Sequence, residues 1–157
     1  MRTLRPARPE DAEAISALAL RSKAHWPYSD EQMAVFRLEL VLSPEHLMRS
    51  NAHVIEEAGR LLGFYTLSQV DDRCTELEHI FVEPAFLGEG IGRALFRHAC
   101  SAAAGCGALV LIVRSDPHAA GFYRALGGEF TGEIDSSIPG RKIPTFRWLL
   151  PTTAMES

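Results

Sequence analysis

The chain has 157 residues, 46% of them hydrophobic, and a net charge of −4 at pH 7. That length suits one domain with a buried core, expected over residues 1–157 with the core at about 3–150, and is too short for two. Charges of both signs are scattered and form no basic stripe that would track a phosphate backbone, so no nucleic-acid partner is expected.

No apolar run approaches the ~20 residues that span a bilayer, and Arg2, Arg5, Arg8, Glu10 and Asp11 leave the start without the apolar centre of a signal peptide; a cytoplasmic protein with no membrane partner is expected. Cys74, Cys100 and Cys106 form no Cys-x-x-Cys pair, and the six histidines are dispersed without helical i, i+4 pairing. Neither a disulfide framework nor a metal is expected.

Thr3 to Arg5 reads as a short strand, and Pro9-Glu10-Asp11 opens a helix whose apolar stripe runs through Ile15, Leu18 and Leu20. His25-Trp26-Pro27-Tyr28 breaks the helical period, because Pro27 disfavours helical geometry at Trp26. Ser29, with Gln32 three residues on, has the pattern of a capping box. A second helix is expected over Asp30 to Leu42, ended by Pro44 and followed by a polar connector to Asn51. His53 to Ile55 and Leu61 to Leu67 flank Glu57-Ala58-Gly59-Arg60, the pattern of an antiparallel hairpin.

Thr75 to Val82 reads as a strand with Glu76, Glu78, Ile80 and Val82 on one face and Leu77, His79 and Phe81 on the other. Glu83-Pro84 ends it, Gly88-Glu89-Gly90-Ile91-Gly92 supplies a tight loop, and Arg93 to Ala104 continues with helical spacing to a stop at Gly105. Ala108 to Val113 is nearly all apolar, as in a strand covered on both faces, and Asp116-Pro117 starts a short helix ending near Gly127. Glu129 to Ile134 and Thr145 to Leu150 are the last strands, joined by a Ser-, Pro- and Gly-containing loop from Asp135 to Ile143.

Glycines at 88, 90 and 92, between a strand and a helix, leave backbone N–H groups unobstructed and aligned with the positive end of the helix dipole, which suits phosphate. No Gly-Lys-Ser or Gly-Lys-Thr follows, and Arg93 to Leu95 lacks the third glycine of a dinucleotide fingerprint; nucleoside triphosphate and NAD are both disfavoured.

In two spaced motifs the sequence resembles the GNAT acetyltransferase superfamily. Val82-Glu83-Pro84 followed by Leu87-Gly88-Glu89-Gly90-Ile91-Gly92-Arg93 is similar to the family's acetyl-CoA signature, and Asp116, Ala119, Phe122, Tyr123 and Gly127 are similar to its second. The resemblance implies an α/β, single-domain GNAT-like fold: a central mixed, mostly antiparallel sheet of about seven strands, splayed between the central strands and flanked by about four helices. It implies acetyl-CoA as acyl donor, held by Ile80, Phe81, Val82, Leu87, Gly88, Gly90, Ile91, Gly92, Arg93 and Phe122. The chain departs from the family at Leu87, where Arg or Gln is usual, and at Glu89, where Lys or Arg is usual. We expect Glu89 to point to solvent and Arg93 to offset its charge.

The resemblance further implies that backbone N–H groups near Ile80 and Val82 hold the thioester carbonyl, whose oxyanion fixed amide dipoles stabilise without reorganisation. The amine then attacks directly. An amine of pKa near 10 is only about one part in a thousand neutral at pH 7, roughly 4 kcal/mol against attack, so a base is useful. Glu76 and Glu78 share the strand face of Ile80 and Val82, and either one, or a water it holds, can serve. Tyr123 matches the tyrosine that faces the departing sulfur. A phenol near pKa 10 is a weaker acid than a thiol near 8.5, which favours hydrogen-bond donation over full proton transfer.

By the same resemblance the acceptor is chosen by the first helices and the last loop, where Trp26 and Tyr28 offer pocket walls and Arg141 a carboxylate partner. The acceptor is then a small-molecule or peptide amine, and a homodimer is consistent with the family. Two other classes remain: an acyl-CoA-binding sensor or interaction module without turnover, for which Leu87 and Glu89 speak, and a nucleotide-binding regulator.

Overall fold

In a computed structural model the described residues, 1–151, fall into two units. The first holds Met1–Thr66 and His79–Arg97. Strand β1 (Thr3–Pro6) pairs antiparallel with β2 (Asn51–Glu57), Thr3 opposite Glu56 and Pro6 opposite His53. A 3-10 turn at Pro9–Asp11 leads into α1 (Ala12–Ala24). Asp11 fixes that turn, accepting from the Arg8 N–H at 2.7 Å and from Arg5 at 2.8 and 3.0 Å. The Arg5 guanidinium, which Glu56 also engages at 3.0 Å, holds the Asp11 carboxyl below the usual carboxylate range. Ile15 and Leu18 of α1 are wholly buried, each contributing about 1.5–3 kcal/mol of hydrophobic stabilisation.

The Ser29 hydroxyl accepts from the Gln32 N–H at 3.1 Å, and the Gln32 side chain accepts from the Ser29 N–H at 2.9 Å, the reciprocal cap read from the sequence. Helix α2 spans Asp30–Glu39 and stops short of Leu42. Pro44 does not terminate this helix; it begins another. Ser43 accepts from the His46 N–H at 3.1 Å, and proline at the first helical position forfeits no internal bond, so α3 (Pro44–Arg49) stands where a connector was expected. Strand β3 (Arg60–Gln69) returns from β2 through Ala58 and Gly59, whose φ angles of 51° and 79° give the left-handed pair of a two-residue hairpin turn. The buried Tyr65 hydroxyl is satisfied by His53 Nδ1 at 3.1 Å.

The second unit holds Leu67–Glu78 and the described residues from His98 on. Strand β4 (Cys74–Val82) enters it at its N-terminal end, where Cys74 to Leu77 pair in parallel with Val110 to Val113 of β5 (Val110–Arg114). The rest of β4 runs on past that ladder. Strand β5 was expected to be covered on both faces. Instead Leu111 and Val113 are buried while Val110 and Ile112 are half-buried, so burial alternates. A 3-10 turn at Pro117–Ala119 precedes α5 (Ala120–Ala125). Strand β7 (Lys142–Leu149) lies antiparallel to β5 and to β6 (Glu129–Asp135), the latter pairing carrying an irregularity between Phe130 and Gly132.

The seven strands follow the order β1-β2-β3-β4-β5-β7-β6, with β4–β5 the parallel pair, and β3 and β4 each contribute residues to both units. With α4 (Ile91–Gly105) there are five α-helices among the described residues, one beyond the four or so expected, the addition being α3. This is the α/β fold with a mixed sheet that the sequence implied. No described helix is long and apolar enough to cross a membrane.

Candidate active site

The glycine loop belongs to the first unit and is reached by a short, closely held path. At the end of β4 the Glu83 N–H donates to the Leu62 carbonyl at 2.8 Å, and a 3-10 turn follows over Pro84–Phe86, with the Phe86 N–H donating to the Glu83 carbonyl at 2.9 Å. Gly88 and Gly90 both take φ of +82°, a conformation an L side chain resists by about 1–2 kcal/mol. A Cβ at either would meet no protein atom within 4 Å, so conformation rather than crowding calls for glycine. Gly90 supplies the carbonyl that accepts the Ala94 N–H at 3.0 Å, and α4 starts at Ile91 with Gly92 in its first turn. Ile91 is buried, whereas Leu87 and Arg93 are exposed. The N–H groups of the first helical turn lack intrahelical partners, so the loop combines orphan donors with the positive pole of a 15-residue helix.

Gly63, on β3, was not singled out in the sequence and sets where this helix lies. A Cβ there would stand 2.9 Å from both Leu95 Cδ1 and the Phe81 carbonyl oxygen and 3.3 Å from Ile91 Cγ2. An isolated glycine inside a strand marks such an approach, and that signal was available. Ile80, Phe81 and Val82 are half-buried on β4, with the Phe81 ring 5.7 Å from Phe64 and 6.0 Å from His79.

Three arginines from distant segments hold the stretch between β4 and α4. Arg21 of α1 meets the buried Glu83 carboxylate through Nη2 at 2.7 Å and Nε at 3.0 Å. Arg60 lies over the Phe86 ring at 5.1 Å. Arg2 donates to Glu89. Glu89 is exposed, as expected, but its charge is offset by Arg2, not by Arg93. The sequence held no sign of these contacts, which join residues 62 and 87 positions apart in the first and third cases.

Trp26 and Tyr28, also in the first unit, are half-buried. The Tyr28 ring meets Phe36 edge-on at 4.7 Å, and the Lys23 ammonium sits 4.3 Å from the Phe36 centroid and 5.6 Å from that of Tyr28. Trp26 contacts His25 edge-on at 5.1 Å.

In the second unit Glu76 and Glu78 are both half-buried on β4, and strand alternation places them on the face of Ile80 and Val82. Burial pushes the Glu76 carboxyl above the usual range, opposed by Arg114 at 3.8 Å and reinforced by the charge of Glu78. Tyr123, on α5, is 5% exposed. Its ring lies 5.2 Å from Phe122, 6.1 Å from Phe146 and 5.8 Å from Trp148. Burial, with the charge of Asp116 adding to it, raises the phenol well above its ordinary value. Gly128 permits this packing, since a Cβ there would stand 2.6 Å from the Trp148 ring and 3.0 Å from the Tyr123 carbonyl oxygen.

Asp116, the first residue of the second motif, caps the 3-10 turn at Pro117–Ala119. It accepts from the His118 N–H at 2.8 Å and from Arg141 Nη2 at 3.2 Å, while Arg141 Nη1 donates to Ser136 at 2.9 Å. Arg141 is thus engaged within its own unit, at 11% side-chain exposure. Among the described residues no group of three or more His, Cys, Asp or Glu is placed to hold a metal ion.

A family model described as the acetyltransferase (GNAT) family matches residues 13–127. Solved structures with the same fold include a GCN5-related N-acetyltransferase from Rhodopseudomonas palustris, 24% identical at a TM-score of 0.81, with 96% of each chain covered. PaiA N-acetyltransferase from Thermoplasma acidophilum, solved in complex with coenzyme A, is 18% identical at a TM-score of 0.74, covering 95% of this chain and 99% of that one. YncA from Salmonella typhimurium, solved with its cofactor acetyl-CoA, is 22% identical at a TM-score of 0.70, over 96% of this chain and 95% of that one. At such identities the likeness establishes the shared fold. No curated protein matches the sequence.

Proposed function

The chain belongs to the acetyltransferase (GNAT) family, and we propose that it moves the acetyl group of acetyl-CoA directly onto a primary amine of a small molecule or peptide, as one cytoplasmic domain that needs no metal. The observation that carries this reading is the pair of positive-φ glycines, Gly88 and Gly90, feeding the first turn of α4. Bare N–H groups at that turn suit the diphosphate of CoA, with Leu87, Ile91, Gly92 and Arg93 around it and Phe122 against the pantetheine arm.

In this proposal backbone N–H groups near Ile80 and Val82 take the thioester carbonyl, and Phe81 lies beside the cofactor. The amine nitrogen attacks the carbonyl carbon, its proton passes to Glu78 directly or through a water, and the C–S bond breaks as the amide forms. Glu76, whose carboxyl burial raises, is the second candidate base, because a carboxyl shifted toward neutrality is better matched to a general base. Tyr123 donates a hydrogen bond to the leaving sulfur. Its raised phenol makes full proton loss more uphill than for a free tyrosine, which supports donation over transfer. Trp26 and Tyr28 line the acceptor side. Arg141, oriented by Asp116 and Ser136, is the candidate partner for an acceptor carboxylate through its remaining N–H donors.

Incubation with acetyl-CoA and a panel of primary amines, following free thiol and acetylated product by mass, tests the reading. Product with at least one amine is expected. CoA binding without thiol release from any amine favours instead a module without turnover, the reading that exposed Leu87 and acidic Glu89 support.

A further inference from the structure

The loop that is proposed to hold phosphates carries a carboxylate at its tip and an apolar side chain, Leu87, at its entry. Neither attracts an anion. A cation is nevertheless present at the tip, delivered from the start of β1: Arg2 donates through Nη2 to Glu89, and its Nε lies 3.6 Å from Glu57 at the end of β2. The Arg2 side chain is one-third exposed. A guanidinium offers five N–H donors in a planar fork, so it can stay on Glu89 by one edge and present another to a phosphate.

The geometry points to Arg2 as a ligand-binding residue that grips a phosphate group of the CoA nucleotide, with Glu89 as the positioning residue that aims it. This inference rests on the CoA reading above and extends it. It accounts for both departures in the loop: the positive charge comes from the residue just before β1 instead of from the loop, and the carboxylate at 89 is what ties that charge in place. Arg93 is one turn further along and is not engaged by Glu89. Removing Glu89 alone would delete both a repulsion and an orienting bond, so the informative change is at Arg2.

The phosphate gripped is either the diphosphate or the 3′-phosphate, and the two are separated by using CoA and 3′-dephospho-CoA as probes in titration calorimetry. Arg2→Gln is expected to weaken CoA binding about tenfold, the usual scale for one lost charge-assisted contact, and Arg2→Gln with Glu89→Lys to recover most of it, because the lysine returns the cation to the loop. If Arg2→Gln weakens dephospho-CoA equally, the diphosphate is the group held. If the variant and the unchanged protein bind dephospho-CoA alike while differing on CoA, it is the 3′-phosphate. Melting temperatures recorded alongside separate loss of fold from loss of contact. Equal affinity of Arg2→Gln and the unchanged protein for both probes overturns the inference and leaves the CoA reading standing. Absence of binding by the unchanged protein overturns both.

Discussion

The approach to the glycine loop and the setting of Tyr123 are held by opposite means. Residues 83–89 are pinned from outside by Arg21, Arg60 and Arg2, partly exposed cations drawn from α1, β3 and the start of β1. Tyr123 is enclosed by the rings of Phe122, Phe146 and Trp148. Charge pins fix a backbone while leaving it wet and open to an anion; ring packing removes a phenol from water and so changes its acidity. The first arrangement suits binding and the second suits tuning a single proton.

The comparison is broken most sharply at Tyr123. Tyr123→Phe keeps the rings packed and removes only the hydroxyl, so turnover at saturating substrates should fall roughly 10- to 100-fold, the equivalent of one strong hydrogen bond to developing charge. Unchanged turnover in steady-state thiol release would sink the assigned role. Next come the close approaches that seat each region. Gly63→Ala drives a Cβ against the Phe81 carbonyl, and Gly128→Ala against Trp148 and the Tyr123 carbonyl; each should cost about 1–3 kcal/mol in urea unfolding.

A pin should matter less than a wedge of this kind. Arg21→Ala leaves the Glu83 carboxylate, 7% exposed, without its guanidinium and should cost about 1–2 kcal/mol, with part restored by adding Glu83→Gln. The exposed pair of Arg147 with Glu129 is the control, and Arg147→Ala should change stability by under ~0.5 kcal/mol.

The smallest effect is in pH dependence. Because the folded protein holds the Glu76 proton more tightly than the unfolded chain, the contribution of this group is fully present below the unfolded value near 4.5 and is lost as pH rises through the raised folded value. Glu76→Gln should therefore gain stability over the unchanged protein at neutral pH, and the difference should vanish in acid. Parallel melts at pH 4 and pH 7.5 read it directly.

What was legible in the sequence was local. The Ser29–Gln32 cap, the hairpin turn at Ala58–Gly59 and the glycine loop each depend on residues within a few positions of one another, where backbone geometry dictates residue type. Pro44 was misread because proline both follows helices and begins them, and only Ser43, one residue earlier, decides between the two. The arginine contacts were not legible: nothing in the identity of Arg2 or Arg21 selects Glu89 or Glu83 from the other carboxylates until the strands are ordered. Arg141 shows the same limit, since an arginine in a loop reads as available until Asp116, 25 positions away, is found beside it.

The outermost strand has a consequence for handling the protein in solution. Strand β6 ends the sheet, six of its seven residues are exposed, and Phe130 and Ile134 face water. An uncovered edge of this kind recruits further chains unless charge keeps them apart, and here the deterrent is supplied by Glu129, Glu133 and Asp135. Replacing all three by their amides, Glu129→Gln, Glu133→Gln and Asp135→Asn, should therefore bring on clouding and fibrous precipitate while the interior stays folded.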